Sequence, residues 1–143
     1  MNSPVTIDAS VFVSAFTPSE PAHQASKAFM LNVREQSIPI IVPILVLPEI
    51  SAALSRGQGK PELGLAFVQE LRNFPNTTFI NVDDGIATLA VDIAANHRLR
   101  GSDAVYAAVA LRFGTQLITL DKEQLERLPK VVSVRSPSSK NPA

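Results

Sequence analysis

Five short apolar runs, set apart by longer stretches with helical periodicity, restrict the fold of this chain more than any other feature. Residues 5–7, 38–42, 77–82, 115–120 and 131–134 read as strands. The second of these reads as a strand buried on both faces, the pattern of a parallel sheet rather than of one half-exposed to water. Between them, residues 10–16, 22–36, 45–56, 62–74, 84–96, 102–113 and 122–128 read as helices. In residues 22–36, Ala25, Phe29 and Val33 recur at helical spacing with charges between them. Pro18 stops the first helix and Pro75 closes the fourth, while Gly57 and Gly59 end the third. Pro48 is tolerable only if it lies in the first turn of its helix. Strands alternating with helices predict an α/β fold, a mostly parallel sheet of about five strands covered by helices on both faces.

A chain of 143 residues with 45% hydrophobic content is long enough for one core and too short for two ordinary domains. Residues 1–135 are expected to form one domain, with 136–143 a polar, frayed C-terminal tail. Thirteen basic residues balance thirteen acidic ones, so no overall field draws the chain to nucleic acid or to an anionic membrane. Any contact with a polyanion must be local. The absence of cysteine excludes disulfides, a thiolate nucleophile and cysteine-based zinc sites. No basic leader with a long apolar core opens the sequence, and no run reaches membrane-spanning length. A soluble, cytoplasmic protein is expected.

Four carboxylates sit in or beside these apolar runs. Asp8 ends VTID, Glu49 interrupts ILVLPEISAAL, Asp103 opens DAVYAAVAL and Asp121 ends QLITLD. A buried carboxylate must be paired, hydrogen-bonded or neutralised, and none has an obvious basic partner on its own apolar face. In parallel sheets, ligands bind beyond the carboxyl ends of the strands, where the order of connections switches. Asp8 and Asp121 lie at such ends, and Glu49 and Asp103 lie near helix starts that can face the same edge.

Unit charges about 4 Å apart repel by about 4 kcal/mol at an effective dielectric near 20. Carboxylates gathered in one cleft must therefore protonate or bind a cation. Magnesium and manganese prefer oxygen ligands, whereas zinc favours histidine or cysteine. The two histidines, His23 and His97, lie away from the acidic runs. A hard cation held in this way can activate water and stabilise a leaving oxygen, so the expected reaction is metal-dependent hydrolysis of a phosphodiester.

Each acid also has an ordinary structural use. Asp8 suits the N-cap of the following helix, Asp103 a helix start where the dipole favours an anion, and Asp121 with Gln124 a capping box. Glu49, among Leu45, Leu47, Ile50 and Leu54, would need a partner such as Arg56 or Lys60. Capping and metal binding are compatible, and the coincidence of all four carries the inference.

The segments VTIDASVFVSAF, LVLPEISAALSR, LRGSDAVYAAVALRFG and LITLD resemble, in order and spacing, the four acidic motifs of PIN-domain ribonucleases, in particular the VapC-type toxins of toxin-antitoxin pairs. The resemblance runs from about residue 4 to residue 134; in the second motif Pro48 directly precedes the acid. It implies a Rossmann-like sheet, a Mg²⁺ or Mn²⁺ cofactor and endonucleolytic cleavage of RNA. Asp8, Glu49 and Asp103 match the core ligands and Asp121 the more variable fourth acid. Ser10 falls where relatives carry a small polar residue contacting a carboxylate or metal-bound water, and Thr119 is expected to act similarly. The resemblance further implies a small antitoxin protein as partner, and a homodimer, for which the helices at 22–36 and 62–74 offer apolar faces.

RNA phosphate must be met by cations. Arg98, Arg100 and Lys122 flank two of the acids, and Arg56 and Lys60 could line the other side. Tyr106 reads as a packing residue and His97 as a helix-end residue. A haloacid-dehalogenase-like phosphatase wants a second aspartate where Ser10 stands, and a receiver domain wants paired acids near the first strand. No Ser-His-Asp set, glycine-rich phosphate loop or zinc signature is present. The remaining alternative is a catalytically inactive PIN-like scaffold that binds RNA or protein.

Overall fold

The computed structural model describes residues 3–138. Its strands are β1 (Val5–Ile7), β2 (Ile40–Pro43), β3 (Thr77–Ile80), β4 (Gln116–Ile118) and β5 (Val134–Arg135). Its helices are α1 (Ala9–Phe16), α2 (His23–Glu35), α3 (Val46–Gln58), α4 (Pro61–Arg72), α5 (Asp84–His97), α6 (Gly101–Phe113) and α7 (Lys122–Arg127). The strands form one sheet in the order β3-β2-β1-β4-β5, with every pairing parallel. Successive side chains of β1 point to opposite faces, yet Val5, Thr6 and Ile7 are all buried, so both faces of the central strand are covered. The one polar member of that trio is satisfied: the Thr6 hydroxyl bonds the Ile41 carbonyl and the Thr115 hydroxyl.

Helix α6 lies against β1, β2 and β4. Ala104, Tyr106, Ala107, Ala108, Val109 and Ala110 are all within 1% of complete burial, so the helix is inside nearly all round. The run of alanines lets its axis approach the sheet closely, and Asp103 at its first turn is thereby held over the sheet edge.

Four strands differ in extent from the sequence reading: the third ends at Ile80 rather than 82, and the second and fifth differ for a backbone reason. The second strand begins at Ile40 rather than 38, because Pro39 has no N–H and Ile38 donates back to Val33 at the end of α2. The fourth is confined to Gln116–Ile118. The fifth is Val134–Arg135 rather than 131–134, because the amides of Val131 and Val132 are both taken by the Leu128 carbonyl. Pro48 lies in the first turn of α3, where its missing N–H costs nothing. Of the predicted tail, residues 139–143 lie outside the described residues.

Helix α3 carries Glu49, and its position depends on a close approach by α4. A Cβ placed on Gly64 would lie 2.6 Å from the Ser51 carbonyl oxygen and 2.6 Å from the Ser55 hydroxyl. Gly64→Ala should therefore push the helices apart at a cost of about 1–3 kcal/mol, read as a lower melting temperature. A melting temperature equal to the parent's would contradict this packing.

Candidate active site

The sheet order places the site. From β1 the chain steps outward through β2 to β3, then returns past β1 to form β4 and β5, so the order reverses between β1 and β4. The carboxyl ends of those two strands are where a parallel sheet leaves a ligand crevice. Asp8 follows β1 directly, and its amide donates to the Ile118 carbonyl at 2.9 Å, tying it to the end of β4. Its carboxylate caps α1, with Oδ2 accepting from the Ser10 amide at 3.0 Å. Asp121 caps α7, with Oδ1 accepting from the Gln124 amide at 2.9 Å. Asp103 and Glu49 lie in the first turns of α6 and α3, where helix dipoles favour anions. The expected structural uses of Asp8 and Asp121 are thus real, and they fix carboxylates that also face a common space.

All four acids line one open cavity of about 400 Å³, together with Ser10, Glu20, Arg100 and Ser102. Asp8 and Asp103 are 7% and 6% exposed, low values for carboxylates. Burial raises the pKa of Asp8 above its ordinary value, and Asp121 adds to the shift while Ser10 and Gln124 oppose it. Burial also raises Glu49, with the Asp8 and Asp103 charges adding to it against the Tyr106 hydrogen bond. Asp103 is raised by burial and by Asp121 and Asp8, against the opposing effect of Arg100. The three groups share a cause: each is removed from water beside other negative charge.

Arg100 supplies the basic partner that the apolar faces did not reveal. Its Nε donates to Asp103 Oδ2 at 3.0 Å and its Nη2 to Asp121 Oδ2 at 3.1 Å. It enters from the N-cap of α6, three residues before Asp103, while its reach to Asp121 has no signal in the helical pattern. Its side chain is 70% exposed, so solvent screens the pairs and each contributes little to stability.

The other predicted residues divide. Ser10 and Thr119 belong to the site as holders of backbone: the Ser10 hydroxyl accepts from the Leu120 amide and Thr119 Oγ1 from the Asp121 amide. Lys122 lies beside Arg100 and Asp121 in an adjoining recess. Arg98 lines a separate recess with His97, Arg127 and Lys130. Arg56, whose Nε donates to the Ala52 carbonyl on its own helix, and Lys60 do not line the acidic cavity.

Two contributors were not assigned a role at the site from the sequence. Tyr106 packs, as expected, but its hydroxyl also donates to Glu49 Oε1 at 2.6 Å; its spacing one turn after Asp103 was the available signal. Burial and the nearby Asp8 and Glu49 charges raise the phenol's pKa well beyond its ordinary value, so it stays a donor. Glu20 reaches the cavity from the connection between α1 and α2, where no periodicity indicates direction. Tyr106→Phe should leave the core intact and slow catalysis about tenfold by releasing Glu49, measured as kcat on a defined substrate. An unchanged kcat would make the bond incidental.

The donor chemistry suits a hard divalent cation: carboxylate and hydroxyl oxygens, in a cavity with neither histidine nor sulfur. Among the described residues, however, no trio of His, Asp or Glu side chains is already arranged to hold a metal ion. Arg100 and Tyr106 engage three of the four acids in this arrangement. The residues fit a cation in kind and burial.

The model of the PIN domain family matches residues 5–131. Ribonuclease VapC3 of Pyrobaculum aerophilum is 24% identical over 129 residues, covering 90% of this chain and 98% of that protein. Among solved structures, Mycobacterium tuberculosis VapC20, described as a sarcin-ricin loop cleaving toxin, superposes with a TM-score of 0.73 at 18% identity, covering 92% of this chain and 98% of the other. DNA-bound VapBC from Salmonella typhimurium gives 0.69 at 18% identity, covering 96% and 99%. The parallel sheet, the acids at its switch point and the match over nearly the whole chain agree: this chain belongs to the PIN domain family.

Proposed function

We propose that this protein is an endoribonuclease that hydrolyses RNA phosphodiesters with Mg²⁺ or Mn²⁺ held by Asp8, Glu49, Asp103 and Asp121. The observation that carries this is the convergence of four carboxylates, two of them almost fully buried, on one cavity at the switch point of the sheet. Their burial and mutual repulsion are best relieved by a divalent cation. When bound, such an ion supplies an activated water and charge stabilisation for the leaving oxygen. The residues of the chain do the rest. Ser10, Tyr106 and Arg100 hold Asp8, Glu49 and Asp103 respectively. Arg100 is at the cavity mouth and can exchange Asp121 for a substrate phosphate, with Lys122 beside it. Arg98, on a separate recess, would meet RNA further from the cleaved bond.

We assign the nuclease unit to residues 1–135. The relatives named above include toxins and toxin-antitoxin complexes, which supports a toxin role with a small antitoxin as partner. A homodimer is supported by Leu31 on α2 and Leu65 on α4, which are exposed at 50% and 67%. No helix among the described residues is long and apolar enough to cross a membrane, and we place the protein in the cytoplasm, where RNA is available. The test is incubation with total cellular RNA, with and without Mg²⁺ or Mn²⁺, followed by mapping of the ends. Metal-dependent cuts leaving 5′-phosphate and 3′-hydroxyl ends are expected. Binding without cutting would favour the inactive scaffold.

A further inference from the structure

We propose that Gln124 is a positioning residue of this centre, an uncharged bridge that holds Asp8 and Asp103 in one arrangement. The inference rests on the metal-dependent reading above. Gln124 is completely buried on α7, one turn before Leu128, which is equally buried. An apolar side chain would fill such a position without the cost of burying an amide. Its side-chain Nε2 instead lies 3.2 Å from Asp103 Oδ1 and 3.4 Å from Asp8 Oδ1, and its Oε1 is 2.5 Å from the Thr119 hydroxyl.

The direction of this network is fixed by its ends. The Asp121 backbone N–H can only donate, and it donates to Thr119 Oγ1 at 3.0 Å. The Thr119 hydroxyl then gives its proton to Gln124 Oε1, which leaves both Gln124 N–H groups to face the acids. A reversed amide would set its oxygen against two carboxylates and leave the Thr119 proton without an acceptor. One neutral side chain therefore ties together the end of β1, the start of α6 and the turn between β4 and α7. Asp8 is held at both oxygens, by Gln124 and the Ser10 amide, and Asp103 by Gln124 and Arg100. Outer groups that orient ligating carboxylates typically change metal affinity by about 10–100-fold. Unlike Arg100, Gln124 brings no positive charge that a cation would have to displace.

The test is titration with Mn²⁺ alone, following free Mn²⁺ by electron paramagnetic resonance. The parent is compared with Gln124→Met, which keeps length and bulk but has no donor, and with Thr119→Val and Thr119→Ser. Gln124→Met should raise the Mn²⁺ dissociation constant about tenfold while retaining one cooperative melt in chelator. Thr119→Val should weaken binding in the same direction, and Thr119→Ser, which restores the hydroxyl, should bind as the parent does. A folded Gln124→Met within about twofold of the parent would overturn the proposal, leaving Gln124 a packing residue. If that variant does not fold, Thr119→Val binding as tightly as the parent would overturn it. Failure of the parent itself to bind Mn²⁺ would overturn the metal reading together with this one, so the two failures are distinguishable.

Discussion

Asp8→Asn should nearly abolish RNA cleavage while raising the melting temperature of the metal-free protein. Asparagine is as good an N-cap as aspartate, and its carbonyl can still accept from the Ser10 amide, so α1 keeps its start. What is lost is a negative charge buried at 7% exposure beside Glu49, Asp103 and Asp121, together with the acceptor that Gln124 Nε2 faces at 3.4 Å, a long bond whose loss offsets only part of the relief. Removing the charge relieves repulsion in the free protein, and a gain of roughly 1 kcal/mol would lift the melting temperature by about 3 °C. The same change removes a carboxylate ligand. A metal centre contributes several kcal/mol to the transition state, so cleavage should fall by about 100- to 1,000-fold. The opposing directions identify a functional charge. A variant that cuts RNA at the parent's rate in matched metal would end the proposed mechanism, and one that is less stable without metal would show Asp8 to be structurally useful as a charge.

Metal should also reverse the pH dependence of stability. Asp8, Glu49 and Asp103 all have raised pKa values in the folded state, chiefly because burial disfavours their charged forms. The folded protein then holds protons more tightly than the unfolded chain. The resulting contribution is complete below the ordinary carboxylate range and is lost as pH rises through the raised values. From about pH 4 upward these three groups should progressively lower the metal-free melting temperature. Asp83, lowered by its bond from the Ile86 amide, works in the opposite sense but is exposed. Adding Mn²⁺ at about 100 times its dissociation constant should contribute about 2.7 kcal/mol at neutral pH, which at this chain length raises the melting temperature by about 10 °C. The gain should shrink at mildly acidic pH, where protons compete for the same oxygens. Thermal melts with chelator and with Mn²⁺ at two pH values provide the check. A metal effect that is absent, or equal in the parent and in Asp8→Asn, would contradict the site.

The strands and helices were legible because their causes are local: apolar runs, helical periodicity, and prolines and glycines as breaks. The edges of β2 and β5 were not, since they depend on which amide reaches which carbonyl, as with Ile38 and Val33 or Val132 and Leu128. The four acids stood out because carboxylates in apolar runs are costly, and their gathering followed from strand order. Arg100 and Gln124 were harder to read. Its nearness to Asp103 in sequence marks Arg100 as a phosphate contact, but its reach to Asp121 spans 21 residues and depends on the α6–α7 geometry. The sequence marks Gln124 as the partner of a helix cap, which is true of its backbone amide. That its side chain turns inward to Asp8, 116 residues away, is a tertiary fact.

The central claim is that these acids form one cation-binding centre. Crystals grown with Mn²⁺ and measured at the manganese absorption edge test it most directly, because anomalous scattering locates the ion without assumptions about activity. The predicted result is an anomalous peak in the cavity among the carboxylates of Asp8, Glu49, Asp103 and Asp121, with Arg100 swung away from at least one of its acids. Crystals at saturating Mn²⁺ with no peak there, or with the ion bound elsewhere and the Arg100 pairs intact, would contradict it.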